Sequence, residues 1–137
     1  MSLPIADTEA LFEAVRPADL LPGVRTITVG TTVLLHTEIM SAHLLVHNGR
    51  LTGLFDFEPA MHGAPEYEFA AVGPFLSQGN GDFLRAMLTA YGCTTIDEQV
   101  QRRLLAYFLL HRYGTLTVAP TSATTLDELA EHWWHVS

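Results

Sequence analysis

The sequence contains no lysine: its seven basic residues are all arginines, set against fifteen acidic ones, for a formal charge of −8. That balance excludes nucleic acid and anionic membranes as main partners, because neither phosphate array attracts an acidic chain without a concentrated basic patch. It also leaves no lysine to hold the phosphates of ATP. The single cysteine, Cys93, excludes an intramolecular disulfide and a cysteine-based metal knuckle, and fits the reducing cytoplasm. Following Tyr91-Gly92 at an expected helix end, it reads as a small buried thiol rather than a nucleophile. No run approaches the ~18 apolar residues of a membrane span, and Asp7 and Glu9 stand where a secretory signal would be basic. The chain is therefore expected to be cytoplasmic, neither exported nor membrane-spanning. No glycine-rich phosphate loop precedes Val33.

What is present is apolar material for a core: 48% of the 137 residues are hydrophobic, which suits one domain spanning residues 1–137. The stretch from Val33 to Phe57 combines buried-strand runs with ionisable residues at their ends. Val33-Leu34-Leu35 delivers His36, Thr37 and Glu38 to a turn, and Leu44 to Val46 and Leu51 to Phe55 read as two further strands. Asn48-Gly49 between them is a tight-hairpin signal, since both residues tolerate positive φ. Such a hairpin puts His43 at the start of one strand beside Asp56 at the end of its antiparallel partner.

These residues carry a resemblance. His36 to His43, HTEIMSAH, is similar to the H-x-D-x-x-x-x-N catalytic loop of the aminoglycoside phosphotransferase and choline kinase family, which is protein-kinase-like. Phe55-Asp56-Phe57-Glu58 resembles that family's metal-binding segment, and Gly63 to Ala70, GAPEYEFA, resembles the start of its next helix. Leu109 to Tyr113 continues the likeness in a late helix. Two key positions depart from the pattern: Glu38 stands at the catalytic Asp and His43 at the metal-binding Asn, while Asp56 matches directly. The ordered set is more specific than any one motif.

The resemblance implies an α+β fold, a mainly helical kinase-like C-terminal lobe carrying a small antiparallel hairpin with the catalytic-loop motif. The nucleotide-binding lobe that would come first in the family, with its lysine, is not expected here, which argues against ATP. It further implies that Glu38 receives or orients the substrate hydroxyl proton and that Asp56 and His43, with Glu38, hold a divalent metal. Mg²⁺ is the family's ion, and an imidazole in place of an amide favours Mn²⁺ or Zn²⁺. The same pair without metal is a plain His–Asp hydrogen bond, and the residues alone leave both readings open. His36 would tie the loop to Glu68, with catalysis as its alternative role, and Glu58 and Glu66 would support the site or be solvated.

Elsewhere, helices are expected from Asp7 to Val15, Glu66 to Leu76, Phe83 to Tyr91 with Asp82 as cap, about Asp97 to Tyr113, and Leu126 to His135 capped by Thr125. A half-buried strand is expected from Arg25 to Val29, and a loop from Pro59 to Pro65. His111 and Arg112 read as satisfying packing and buried carbonyls, His62 as solvated, and the Trp133-Trp134 pair as a core anchor. Three functions fit: phosphoryl transfer to a small hydroxylated molecule, a non-kinase enzyme reusing the Glu38, His43 and Asp56 pocket, or an inactive remnant that binds a ligand or a protein. Apolar residues of the early strands, Val24, Ile27, Val29 and Val33, would be left uncovered without a first lobe, so a homodimer through Arg25 to Val33 is expected.

Overall fold

The computed structural model describes residues 32–93 and 96–136. The expected helix Asp7 to Val15, the strand Arg25 to Val29 and all of the dimer segment except Thr32 and Val33 lie outside them. The described part is α+β: two separate two-stranded antiparallel sheets sit beside a helical body.

Strand β1 (Val33–Leu35) pairs with β4 (Met61–Gly63), and β2 (Leu44–His47) pairs with β3 (Arg50–Leu54). The β2–β3 connection is the expected two-residue turn, with Asn48 and Gly49 both at positive φ, 50° and 71°. Strand β4 lies inside the expected Pro59 to Pro65 loop and corrects it. Three residues are too few to show alternation, and the pairing depends on close approach: a Cβ on Gly63 would stand 2.9 Å from the Leu35 side chain.

After β4 a 3₁₀ turn, Pro65–Tyr67, runs into α1 (Glu68–Val72) and then into a π-helical turn, Gly73–Ser77. A single regular helix was the expectation. Pro74 prevents it, because proline lacks an N–H to donate and its ring crowds the carbonyl one turn back, so the chain widens instead. Helix α2 (Gly81–Tyr91) is capped by Asn80, whose side chain accepts from the Phe83 amide at 3.0 Å, and it stops at Gly92 with φ 97°. The expected cap, Asp82, instead lies in the first turn and pairs with Arg85. Helix α3 (Glu98–Leu110) starts on the Asp97 cap and ends earlier than expected, so His111 and Arg112 lie past it. Helix α4 (Leu126–Trp134) carries a capping box between Thr125 and Glu128.

The four helices share one apolar core, with Phe69 and Val72 from α1, Leu84 and Leu88 from α2, and Leu104, Leu105, Phe108 and Leu109 from α3. Helix α4 adds Leu129, Trp133 and Trp134. Trp134 is fully buried and donates its indole N–H to the Phe69 carbonyl at 3.0 Å, while Trp133 meets Phe108 edge-on at 5.0 Å. A fully buried side chain of this kind contributes about 1.5–3 kcal/mol. By contrast Leu45, Val46 and Leu51 of the hairpin are more than half exposed. Stability therefore resides in the helices, and the strands carry the site.

Candidate active site

The site is built on the loop after β1 and on the two ends of the β2–β3 hairpin. The loop turns at Thr37, whose φ of 75° is unusual for a β-branched residue and costs about 1–3 kcal/mol. Its surroundings hold it there. Glu68, opening α1, accepts from the His36 and Thr37 amides at 2.7 and 2.8 Å. The Thr37 carbonyl accepts from His111 Nε2 at 2.7 Å, and the Thr37 hydroxyl reaches the Pro59 carbonyl. His111 thus satisfies a buried carbonyl, from a place just past α3 rather than within it.

His36 fastens the same loop to the end of β3, since its Nε2–H donates to the Phe55 carbonyl at 2.7 Å. Its Nδ1 accepts from the Glu38 amide at 3.2 Å, so both ring nitrogens are used. With both nitrogens committed, His36 supports the site. This turn swings the Glu38 side chain inward. Glu38 is only 2% exposed, so the extra methylene relative to an aspartate is taken up by retraction rather than by projection into solvent.

His43 closes a 3₁₀ turn, Ser41–His43, directly before β2. Its Nδ1–H donates to the Glu38 carbonyl at 2.8 Å, which leaves Nε2 facing Asp56 Oδ2 at 3.2 Å. Asp56 follows β3 with φ 65°, a conformation aspartate tolerates better than most residues. One ligand atom each from Glu38, His43 and Asp56 lies within 4.8 Å of the others. Glu38 Oε2 is 3.9 Å from His43 Nδ1, and Oε1 is 3.9 Å from Arg112 Nη1. Oε1 is buried with no hydrogen-bond partner among the described residues. A buried carboxylate oxygen without a donor is costly, so the geometry calls for a cation or a donor from a ligand.

Arg112 was not expected at the site. It stacks over Tyr113 at 5.3 Å and stands, largely exposed, at the mouth of the Glu38 pocket. Its sequence signal was position alone, next to a histidine in the late motif. Tyr67 stacks on His111, and burial, followed by the charges of Glu38 and Glu68, pushes its phenol above the usual value, so it remains a donor. Glu58 and His62 are exposed, and Glu66 pairs with Arg103 at 3.0 Å. Cys93 is half-buried rather than buried, beside Phe69, Leu88 and Tyr91 in an apolar cavity of about 180 Å³.

The donor set fits a divalent ion: two carboxylates and an imidazole converge, one carboxylate oxygen is orphaned, and the imidazole is oriented by a carbonyl on its far nitrogen.

A helical body presenting a motif loop, held by a glutamate from the following helix, next to a hairpin that ends in a carboxylate, defines a kinase-like lobe. The sequence model of the phosphotransferase enzyme family matches residues 4–107, most of the chain, and this protein belongs to that family. No curated protein and no solved structure matches it at a significant level. No helix among the described residues is long and apolar enough to cross a membrane.

Proposed function

We propose that this protein transfers a phosphoryl group from a nucleoside triphosphate to a hydroxyl of a small molecule, with Glu38 receiving the hydroxyl proton. The observation that carries the reading is the Glu38 carboxylate, buried to 2% exposure with Oε1 lacking a hydrogen-bond partner. A general base must keep a lone pair free for the incoming proton, and this oxygen has one. The substrate oxygen forms its bond to phosphorus as the bond to the leaving diphosphate oxygen breaks, and the proton passes to Glu38. His43 and Asp56, with the second Glu38 oxygen, would hold a divalent ion, which when bound neutralises charge on the phosphate oxygens. Arg112 supplies a second positive charge at the mouth.

The test is ATP-dependent phosphorylation across a panel of hydroxylated small molecules, with wild type and Glu38→Gln. The variant should lose about 10²–10⁴-fold in kcat with its melting temperature preserved or raised, since the buried charge is removed. A variant that retains the wild-type kcat overturns the role of Glu38.

The two departures from the family pattern, Glu38 and His43, support a second reading, in which the same pocket serves a metal-dependent enzyme that uses no nucleotide. Turnover that proceeds without ATP and fails in Glu38→Gln favours it. A protein inert under both conditions would instead be a ligand-binding remnant.

A further inference from the structure

We infer that the Glu38–His43–Asp56 site selects an imidazole-favouring transition ion, Zn²⁺ foremost, over Mg²⁺. This rests on the metal-holding part of the proposed function and not on the phosphoryl-transfer step.

The argument begins with the His43 ring. Its Nδ1 lies 2.8 Å from the Glu38 carbonyl oxygen, which can only accept, so the proton is on Nδ1. Nε2 then presents its lone pair toward Asp56 Oδ2 at 3.2 Å. Two acceptors at that separation repel unless a positive charge lies between them. A second proton on the ring would give Asp56 a hydrogen bond. It would also put a positive charge 3.9 Å from Glu38 Oε2, but with Nδ1 already donating to the Glu38 carbonyl it would leave Glu38 Oε1 without a hydrogen bond. The 3.2 Å spacing of Nε2 and Asp56 suits an ion about 2.0–2.2 Å from each atom, and Glu38, with its ligand atom within 4.8 Å of theirs, stands close enough to join them by a small side-chain movement.

The choice of ion follows from the donors. An asparagine at this position would offer an amide oxygen, a hard donor suited to Mg²⁺. Imidazole nitrogen instead suits Zn²⁺ and its neighbours, and Mg²⁺ gives up water reluctantly for nitrogen. The backbone carbonyl behind Nδ1 fixes the tautomer and raises the basicity of Nε2, the usual support for a zinc-bound histidine. Two carboxylates and one imidazole give three protein ligands with a position left open, the pattern of catalytic rather than structural zinc. His132 and His135 near the end of α4 are the competing zinc ligands on the described surface, and they lie against a different cavity.

Metal-stripped protein titrated calorimetrically with Zn²⁺, Mn²⁺ and Mg²⁺ tests the inference, with Co²⁺ absorption reporting nitrogen ligation. Wild type should bind one Zn²⁺ at least about 100-fold more tightly than Mg²⁺. His43→Asn should weaken Zn²⁺ by more than the about 10–100-fold that loss of a mere supporting partner costs, while Mg²⁺ affinity holds or improves. The Co²⁺ ligand-field bands should shift in the same variant, and the doubly substituted His132→Ala, His135→Ala protein should bind Zn²⁺ as wild type does. The wild-type Zn²⁺ to Mg²⁺ ratio needs no variant to fold. Equal or tighter binding of Mg²⁺, an unaffected His43→Asn, or zinc binding lost only with His132 and His135 overturns the inference. Zinc-selective binding without phosphoryl transfer leaves it standing and overturns the proposed activity; Mg²⁺-dependent transfer with no zinc preference does the reverse.

Discussion

Replacing Glu68 with Gln should release the loop that carries Glu38. Glu68 accepts two backbone N–H bonds, at 2.7 and 2.8 Å, from consecutive residues of which the second is held at φ 75°. A hydrogen bond to a charged acceptor contributes about 1.5–3 kcal/mol net, and glutamine keeps one acceptor oxygen while turning an N–H donor toward the other amide. Relief of the Thr37 strain, about 1–3 kcal/mol, offsets part of the loss once the clamp opens. The expected net cost is about 2 kcal/mol in urea unfolding, or roughly 6–10 °C in melting temperature for a chain of this size. Thr37→Gly supplies the control, because glycine adopts positive φ without strain. It should help wild type more than it helps Glu68→Gln, so the double-mutant cycle should show coupling of about 1 kcal/mol. Hydrogen exchange at the His36 and Thr37 amides should accelerate in Glu68→Gln well beyond the global change. A loss under about 0.5 kcal/mol with both amides still protected would refute the clamp.

Gly73→Ala places a Cβ 2.6 Å from the Trp134 ring nitrogen and threatens its bond to Phe69, so a loss of about 3 kcal/mol is expected in denaturant unfolding. Thr125→Ala removes one half of the α4 capping box and should cost about 1 kcal/mol in the same measurement. The Glu128 carboxylate is held below its ordinary value by the Thr124 amide, the Thr124 hydroxyl and the Thr125 amide. Its stabilising contribution is therefore present above the unfolded pKa and lost as pH falls through the lower folded one, and melting curves of Glu128→Gln should lack that acid-range decline. Val46 and Leu51 face each other across the hairpin at 66% and 63% exposure, outside the Arg25 to Val33 segment through which the homodimer is expected. Sedimentation equilibrium should give a dimer at micromolar concentration for wild type and for Val46→Glu with Leu51→Glu alike, and a monomeric wild type sinks the expected homodimer.

The hairpin and the juxtaposition of His43 with Asp56 were legible because local rules decide them: Asn-Gly sets the turn, and antiparallel pairing then brings the strand ends together. The stripe Leu104, Leu105, Phe108 and Leu109 was legible for the same kind of reason, as a helical period with one buried face. Three features were not. Strand β4 is too short to alternate and depends on Gly63 fitting over Leu35, a tertiary contact. The π-helical turn depends on Pro74 inside a segment that otherwise reads as helix. The place of Arg112 depends on α3 ending at Leu110, two residues earlier, and helix ends are set by caps rather than by periodicity.

Three histidines meet near the loop, and their hydrogen bonds divide the labour among them in a way no sequence pattern reports. In His36 and His111 alike, Nδ1 accepts from the backbone amide two residues on, from Glu38 at 3.2 Å and from Tyr113 at 3.1 Å. The proton is then on Nε2, which each ring gives to a distant carbonyl, Phe55 for His36 and Thr37 for His111. Neither ring keeps a lone pair for chemistry; both are cross-braces that fix where the loop runs. His43 has the opposite tautomer. It gives its Nδ1 proton to the Glu38 carbonyl, so its free lone pair points at Asp56. The fixed loop thus sets the position of the Glu38 carbonyl, that carbonyl sets the tautomer of His43, and the tautomer sets which side of the ring can take an ion. Loosening the loop at Glu68 should therefore weaken metal binding at His43, although Glu68 is no ligand, and calorimetry of Glu68→Gln with Zn²⁺ measures it. An affinity equal to wild type in a variant whose loop amides exchange freely would break this chain of dependence.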